Sequence, residues 1–345
     1  MSVTIRASKR AMWAPWRNRV LVAAAALASA SALCGVQAAQ AAAATPTLLS
    51  YNAPSRLIQS TGNLYWTSNT YNPFSATPYQ SFVWRASKTN TPGHEAKLFS
   101  QSSATPISFG DITYAQVAGN WYGYFVFNNP VNHTSRIERI GLTPTASATI
   151  LRAGLPFMGQ DDLVTDWSYL YWADGGAIRK MPIGGGAIPT QLAQGTNFSR
   201  VGLDATKVFY SAGNTIRSVA KTGGASTTLV TATGSISAMD LNDQWGYDEL
   251  AYGESNGSVI ENTYLAPGDT TVRVVRPARA GYTITTVGMN DGVGVDFGEC
   301  FIIGPSCDID GTTSTGGTPV DVQGDGSTLF WGSNGLFSLA DQIIW

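Results

Sequence analysis

Residues 253–257 read Gly-Glu-Ser-Asn-Gly, the spacing that exposes a nucleophilic serine when it sits on a sharp strand-to-helix turn. Here the pentapeptide lies between two strand-like segments, ELAYGES from Glu249 and VIENTYL from Val259, which makes it a hairpin turn. Both histidines, His94 and His133, precede Ser255, whereas that hydrolase chemistry places the histidine after the serine. Acid–base work would therefore fall mainly to carboxylates. Asp308-Ile309-Asp310-Gly311 and the run from Asp321 to Gly326 alternate oxygen donors on tight turns, as calcium loops do, but neither supplies a terminal bidentate glutamate. They read as solvated turns, with a structural calcium ion left open and no other cofactor or metal expected. Gly184 to Gly186 lacks the Lys-Ser/Thr of a phosphate loop.

The elements that would position such groups are short strands. The stretch from Asp161 to Gln194 contains four: Leu163 to Asp166, the aromatic YLYW from Tyr169 to Trp172, Ala177 to Met181, and Thr190 to Ala193. Asp174-Gly175-Gly176 and Gly184 to Gly186 tolerate the positive φ of hairpin turns. One four-stranded sheet of this size cannot bury both faces alone, so it must be repeated and stacked.

Variants of the unit recur along the chain. They begin near Arg56, Asp111, Asp161, Arg200, Ile236, Tyr282 and Pro319, with aromatic second strands such as LYW from Leu64, YFVF from Tyr124, VFY from Val208 and LFW from Leu329. The last is one strand short. Thr45 to Pro54 resembles the strand and linker that precede Arg200, so an N-terminal strand is expected to complete the last repeat and close a ring. The expected fold is all-β: a β-propeller of seven four-stranded blades spanning residues 45–345, with six blades as the alternative if the sixth repeat is an insertion.

The motifs Tyr65-Trp66-Thr67-Ser68, Tyr171-Trp172-Ala173-Asp174 and Phe330-Trp331-Gly332-Ser333, each followed by a further strand, resemble those of YWTD-type and related TolB-like propellers. The resemblance implies fold well and function poorly, since such propellers include receptor modules, lectin-like binders, lactonases and polysaccharide lyases.

Residues 1–44 read as a signal peptide: Arg6, Lys9, Arg10, Arg17 and Arg19 precede an apolar run from Val20 to Leu33, followed by small-residue cleavage options. Bulky Leu33 before Cys34 makes a poor lipobox, and the run is short for a membrane span. Removing the segment's five basic residues leaves 16 Lys+Arg against 23 Asp+Glu, an acidic chain without a basic run. That argues against nucleic acid and anionic membranes as partners. In a periplasmic or extracellular compartment, Cys300 and Cys307 are expected to form a disulfide across a Gly-Pro turn.

The expectation for function is a monomeric binding or interaction module for an extracellular glycan or protein. Its rim would be built from second-to-third-strand loops and nearby polar residues: Asn69, Tyr71, Asn129, His133, Asp161, Asp162, Asp174, Asn214, Glu254 and Asn334. Trp66, Trp172 and Trp331 occupy equivalent strand positions and belong to the core, whereas Tyr71, Tyr79 and Trp121 fall outside that register and can stack on sugar rings at a surface. The rival expectation is a carbohydrate-active lyase or hydrolase, or a metal-dependent lactonase, using carboxylates such as Asp161, Asp162, Asp174 or Glu254.

Overall fold

The computed structural model describes residues 46–143, 146–158, 162–242, 249–262, 272–290, 294–302, 307–309, 313–314, 318–324, 328–333 and 335–340. The expected leader lies outside the described residues, as do Asp161 and Asn334. Every regular element described is a strand. Among the described residues no helix is long and apolar enough to cross a membrane.

In chain order, β1 (Thr47–Ser50) is followed by a first blade, β2 (Arg56–Gln59), β3 (Asn63–Tyr71), β4 (Tyr79–Ser87) and β5 (Ala96–Ser103). The second blade is β6 (Ser108–Val117), β7 (Asn120–Asn129), β8 (Thr134–Gly141) and β9 (Thr149–Pro156). The third and fourth are β10 (Leu163–Thr165), β11 (Tyr169–Ala173), β12 (Gly175–Pro182), β13 (Thr190–Leu203), β14 (Lys207–Ala212), β15 (Thr215–Ala220) and β16 (Thr227–Thr231). The fifth is β17 (Ile236–Asn242), β18 (Glu249–Glu254), β19 (Val259–Asn262) and β20 (Val272–Arg276). The sixth is β21 (Tyr282–Asn290), β22 (Gly294–Phe301), β23 (Cys307–Ile309) and β24 (Thr313–Ser314). The last is β25 (Val320–Gly324), β26 (Thr328–Gly332) and β27 (Leu336–Ala340), and β1 pairs antiparallel with β27 to supply its fourth strand.

The described strands thus form five four-stranded sheets and one seven-stranded sheet. The seven-stranded sheet holds two blades, because β13 closes the third and opens the fourth. The sequence reading closes the third unit with Thr190 to Ala193 and begins the fourth at Arg200; instead the chain continues as one 14-residue strand, bent where Asn197 takes a φ of 57°. Seven apolar clusters accompany the seven units, one at each junction between neighbours. The junction between the second and third contains Tyr124, Val126, Leu163 and Trp172. That between the last and the first contains Leu49, Leu57, Trp66, Phe330 and Leu336, so the ring is closed by packing as well as by the β1–β27 ladder.

Period-two alternation explains how a single strand serves two junctions. On β11, Leu170 and Trp172 pack toward the second blade, while Tyr171 and Ala173 pack toward the fourth. The same second-strand site is Trp66 in the first blade, Phe125 in the second, Tyr210 in the fourth and Tyr252 in the fifth, opposite Leu57, Ile112, Val201 and Met239 of the first strands. Trp66, Trp172 and Trp331 are all at most 1% exposed. Cys300 and Cys307 face each other across β22 and β23 and form a disulfide.

Candidate functional site

The first strand of each blade lines a central channel, and its polar residues meet there. Asp111 of β6, Asp162 just before β10, Asp240 of β17 and Asp321 of β25 border one cavity of about 230 Å³ together with Thr113, Thr286 and Gln323. Arg56 and Arg200 enter a narrower adjoining space of about 40 Å³, which shares Asp162 and Asp321. Local β-bulges aim several of these side chains inward, since the ladder shifts between Phe109 and Ile112, between Phe198 and Val201, and between Val320 and Gln323.

Each channel carboxylate reaches across to a neighbouring blade. Asp111 accepts the Leu163 amide hydrogen at 2.7 Å, Asp162 that of Val201 at 3.0 Å, Asp240 that of Met289 at 2.8 Å and Asp321 that of Leu57 at 2.8 Å. The Thr286 hydroxyl does the same for Val322 at 3.1 Å. Two carboxylates also hold guanidinium groups, Asp321 with Arg56 at 3.0 Å and Asp162 with Arg200 at 3.2 Å. Burial pushes the Asp111 carboxyl up to about 8, with Arg56 opposing and Asp162 and Asp321 adding to the rise. Burial also pushes Asp240 up to about 6, against the hydrogen bonds it receives from Met289 and Leu241. Burial disfavours the Arg56 charge, but Asp321, Asp162 and Asp111 outweigh it and raise its pKa. The channel is a circumferential clasp between blades. Among the described residues no three His, Cys, Asp or Glu side chains form a metal-ligand set.

The residues expected on the rim are brought together only in part. Asp162 lies in the channel. Asn69 buttons the first blade to the second: its Nδ2 donates to the Phe109 carbonyl at 2.8 Å and its Oδ1 accepts the Phe109 amide hydrogen at 2.7 Å. Asp174 accepts the Ala177 amide hydrogen at 2.9 Å and pairs with Arg179, which fixes the β11–β12 turn. Buried Glu254 accepts from the Thr233 hydroxyl and the Gly234 amide, both at 2.7 Å. Asn129 accepts the Val131 and Asn132 amide hydrogens at 3.1 Å, and Asn214 donates to the Ala232 carbonyl at 3.2 Å. Tyr71 and His133 are exposed, Tyr71 beside Tyr79 and His133 edge-on to Phe157. Ser255 sits in the β18–β19 turn, as a hairpin reading requires. The adjacent Gly253 is demanded by packing, because a Cβ there would lie 2.3 Å from Ile284 Cγ2.

The opposite face, where first-to-second-strand hairpins open, carries a different surface. Trp121, at the start of β7, is 45% exposed, and Trp167, in the β10–β11 turn, is 52% exposed. Their rings meet edge-on at 5.5 Å, and both contact Tyr114, at 5.7 and 5.9 Å. Trp167 holds a φ of 70°, a left-handed conformation that a bulky residue adopts only under constraint. The constraint is visible. Asp166 accepts the Ser168 and Tyr169 amide hydrogens at 3.1 and 2.8 Å, and its other oxygen accepts from the Tyr171 hydroxyl at 2.7 Å and pairs with Lys221 at 3.0 Å. Burial alone would raise the Asp166 carboxyl; these donors hold it below the usual carboxylate range. Beside Trp121 opens a cleft of about 420 Å³.

The channel residues Arg56, Asp111, Arg200, Asp240 and Asp321 were not singled out from sequence, although a signal was present. A charged residue directly precedes an aliphatic one near the start of repeats, as in Arg56-Leu57, Asp111-Ile112, Asp162-Leu163, Arg200-Val201 and Asp321-Val322. Trp167 carried no signal beyond its place in a turn.

No protein-family profile matches the chain, and no characterised protein sequence matches it either. Its likeness is structural. The chain is similar to YCF48 from Cyanidioschyzon merolae, with a TM-score of 0.55 and 13% identity over 87% of this chain and 99% of that one. It is similar to U3-55K with a TM-score of 0.57 and 10% identity, over 84% of this chain and 95% of that one. It also resembles a prolyl endopeptidase structure, with a TM-score of 0.51 and 11% identity over 84% of this chain, spanning 50% of the endopeptidase chain. The first two are β-propellers, and at these identities the likeness establishes the fold.

Proposed function

We propose that this protein is an exported binding module that engages an extracellular glycan or protein through its hairpin face. The observation that carries the reading is Trp167, held outward at a left-handed φ of 70° by a four-donor anchor on Asp166 and set against exposed Trp121. Fixing a large aromatic at the surface in a strained backbone is a cost that folding alone does not require. The Cys300–Cys307 disulfide supports an oxidising compartment, and an acidic surface suits neither nucleic acid nor anionic lipid as partner. The test is retention of the purified chain on arrays of immobilised glycans and of extracellular proteins, with Trp167→Gly as the comparison. Retention that the substitution weakens supports the module; absence of retention on both arrays removes it.

A second reading, a lyase or hydrolase acting on carbohydrate or a lactonase, draws on Asp111 and Asp240. These two carboxylates face one cavity, have no ion-pair partner among the described residues, and are pushed up to about 8 and about 6. A carboxylic acid poised near neutrality suits proton transfer. Turnover of glycan or lactone substrates, measured with and without a chelator and lost in Asp111→Asn, would favour this reading over the module.

A further inference from the structure

We infer that the cleft beside Trp121 is a subsite for an uncharged pyranose sugar. The inference deepens the proposed binding function and rests on it. The cleft lies between the first and second blades and is lined by the rings of Tyr65, Trp121 and Tyr122, by buried Leu142 and by exposed Asn120 and Thr143. A pyranose ring presents an apolar C–H face and a periphery of hydroxyl groups. The first needs a flat aromatic surface that stays open to solvent, and the second needs neutral donors and acceptors that the protein has not already used.

Both requirements are met. Trp121 is fixed in orientation by Tyr114 and Trp167 yet remains 45% exposed, so its free face is available without rearrangement. Among the described residues the Asn120 side-chain amide makes one long contact, from Nδ2 to the Ala118 carbonyl at 3.4 Å, which leaves its oxygen open. The Thr143 hydroxyl has no protein partner among the described residues. Among the described residues no side chain lining the cleft is charged. Two guanidinium groups touch residues of the lining and are already engaged there, Arg85 donating to the Leu142 carbonyl at 3.1 Å and Arg139 lying 4.5 Å from the centre of the Tyr122 ring. Those two cations are committed to a carbonyl and a ring, so an anionic ligand would have to compete for them, whereas a neutral sugar satisfies the aromatic surface and the spare polar atoms without doing so.

The test uses the full chain and a defined panel: maltohexaose, cellohexaose, laminarihexaose and xylohexaose as neutral probes, with oligogalacturonate as the anionic control. Binding is followed by calorimetry and by tryptophan fluorescence. At least one neutral hexasaccharide is expected to bind, to weaken at least tenfold in Trp121→Ala and several-fold in the Asn120→Ala, Thr143→Ala double variant, and to be unchanged in Val274→Ser, an exposed position on the outer strand of the fifth blade. The double variant keeps the aromatic wall, so it tests the cleft even if Trp121→Ala folds poorly. Neutral-sugar binding insensitive to both cleft variants would overturn the subsite while leaving the binding module standing. Binding of oligogalacturonate or of protein alone would overturn the ligand class and again leave the module. Failure to bind any glycan or protein would overturn both.

Discussion

The Asp321 carboxylate accepts the Leu57 amide hydrogen at 2.8 Å with one oxygen and pairs with Arg56 at 3.0 Å with the other, so one side chain joins the last blade to the first. The β1–β27 ladder closes the same junction farther from the axis. A ring closed at two radii resists splaying better than one closed at its perimeter alone.

Asp321→Ala removes both contacts beside an arginine that is only 7% exposed. Loss of one partner of such a pair costs about 3 kcal/mol, expected as a lower urea midpoint with an unchanged slope. Asp321→Asn keeps an acceptor for Leu57 and is expected to fall between the two.

Stability is expected to decline as pH rises from about 4 toward 8. Asp111 and Asp240 have native pKa values raised to about 8 and about 6, above their unfolded values, so over this window the native state binds more protons than the unfolded chain and the unfolded chain gains from ionising. Their contribution is complete below the unfolded value and lost as pH passes through the native one. Denaturation midpoints across this range should flatten in an Asp111→Asn, Asp240→Asn double variant. Unchanged slopes in that variant would show that other groups set the dependence.

The two tryptophan environments separate core from surface. Trp172→Ala empties a fully buried site and is expected to cost about 3 to 5 kcal/mol. Trp172→Phe should cost far less, because the buried Trp172 Nε1 has no hydrogen-bond partner among the described residues to lose. Trp121→Ala, at 45% exposure, should change the melting temperature little. Thermal unfolding of the three variants checks the order.

The Cys300–Cys307 bridge closes a short loop, seven positions apart in sequence. Loop-closure entropy gives it a worth of about 2.5 kcal/mol. Cys300→Ser with Cys307→Ser, or reduction, should lower the melting temperature by a few degrees without altering the β-rich circular dichroism spectrum.

The fold was legible because its signals repeat. Trp66, Trp172 and Trp331 occupy matching strand sites, and the missing strand of the last repeat was recoverable from Thr45 to Pro54. The site was less legible, for a physical reason. Asn69, Asp174 and Glu254 look like ligand-facing polar residues in sequence, yet tight turns and blade crossovers have unpaired amides of their own, and those side chains satisfy them. Conversely, Trp167 becomes notable only through its φ and its contact with Trp121, a residue 46 positions away across a blade junction. Neither property is written in local spacing.

The long strand β13 gives the ring an uneven mechanics. Where the described chain passes between other successive blades, at 104–107, 232–235 and 277–281, it is irregular and can absorb a change of angle, but between the third and fourth the hydrogen-bonded ladder runs on. The continuous strand is expected to couple the tilt of those two blades. Adjustment of blade angle then falls more to junctions with irregular crossings, among them the one between the first and second blades, where Tyr65 and Trp121 line one cleft. The third blade carries Trp167 and the first carries Tyr65 of the cleft lining, so a change of angle at the first-to-second junction leaves undisturbed the Asp166 anchor of Trp167, which lies within the blade pair joined by the shared strand.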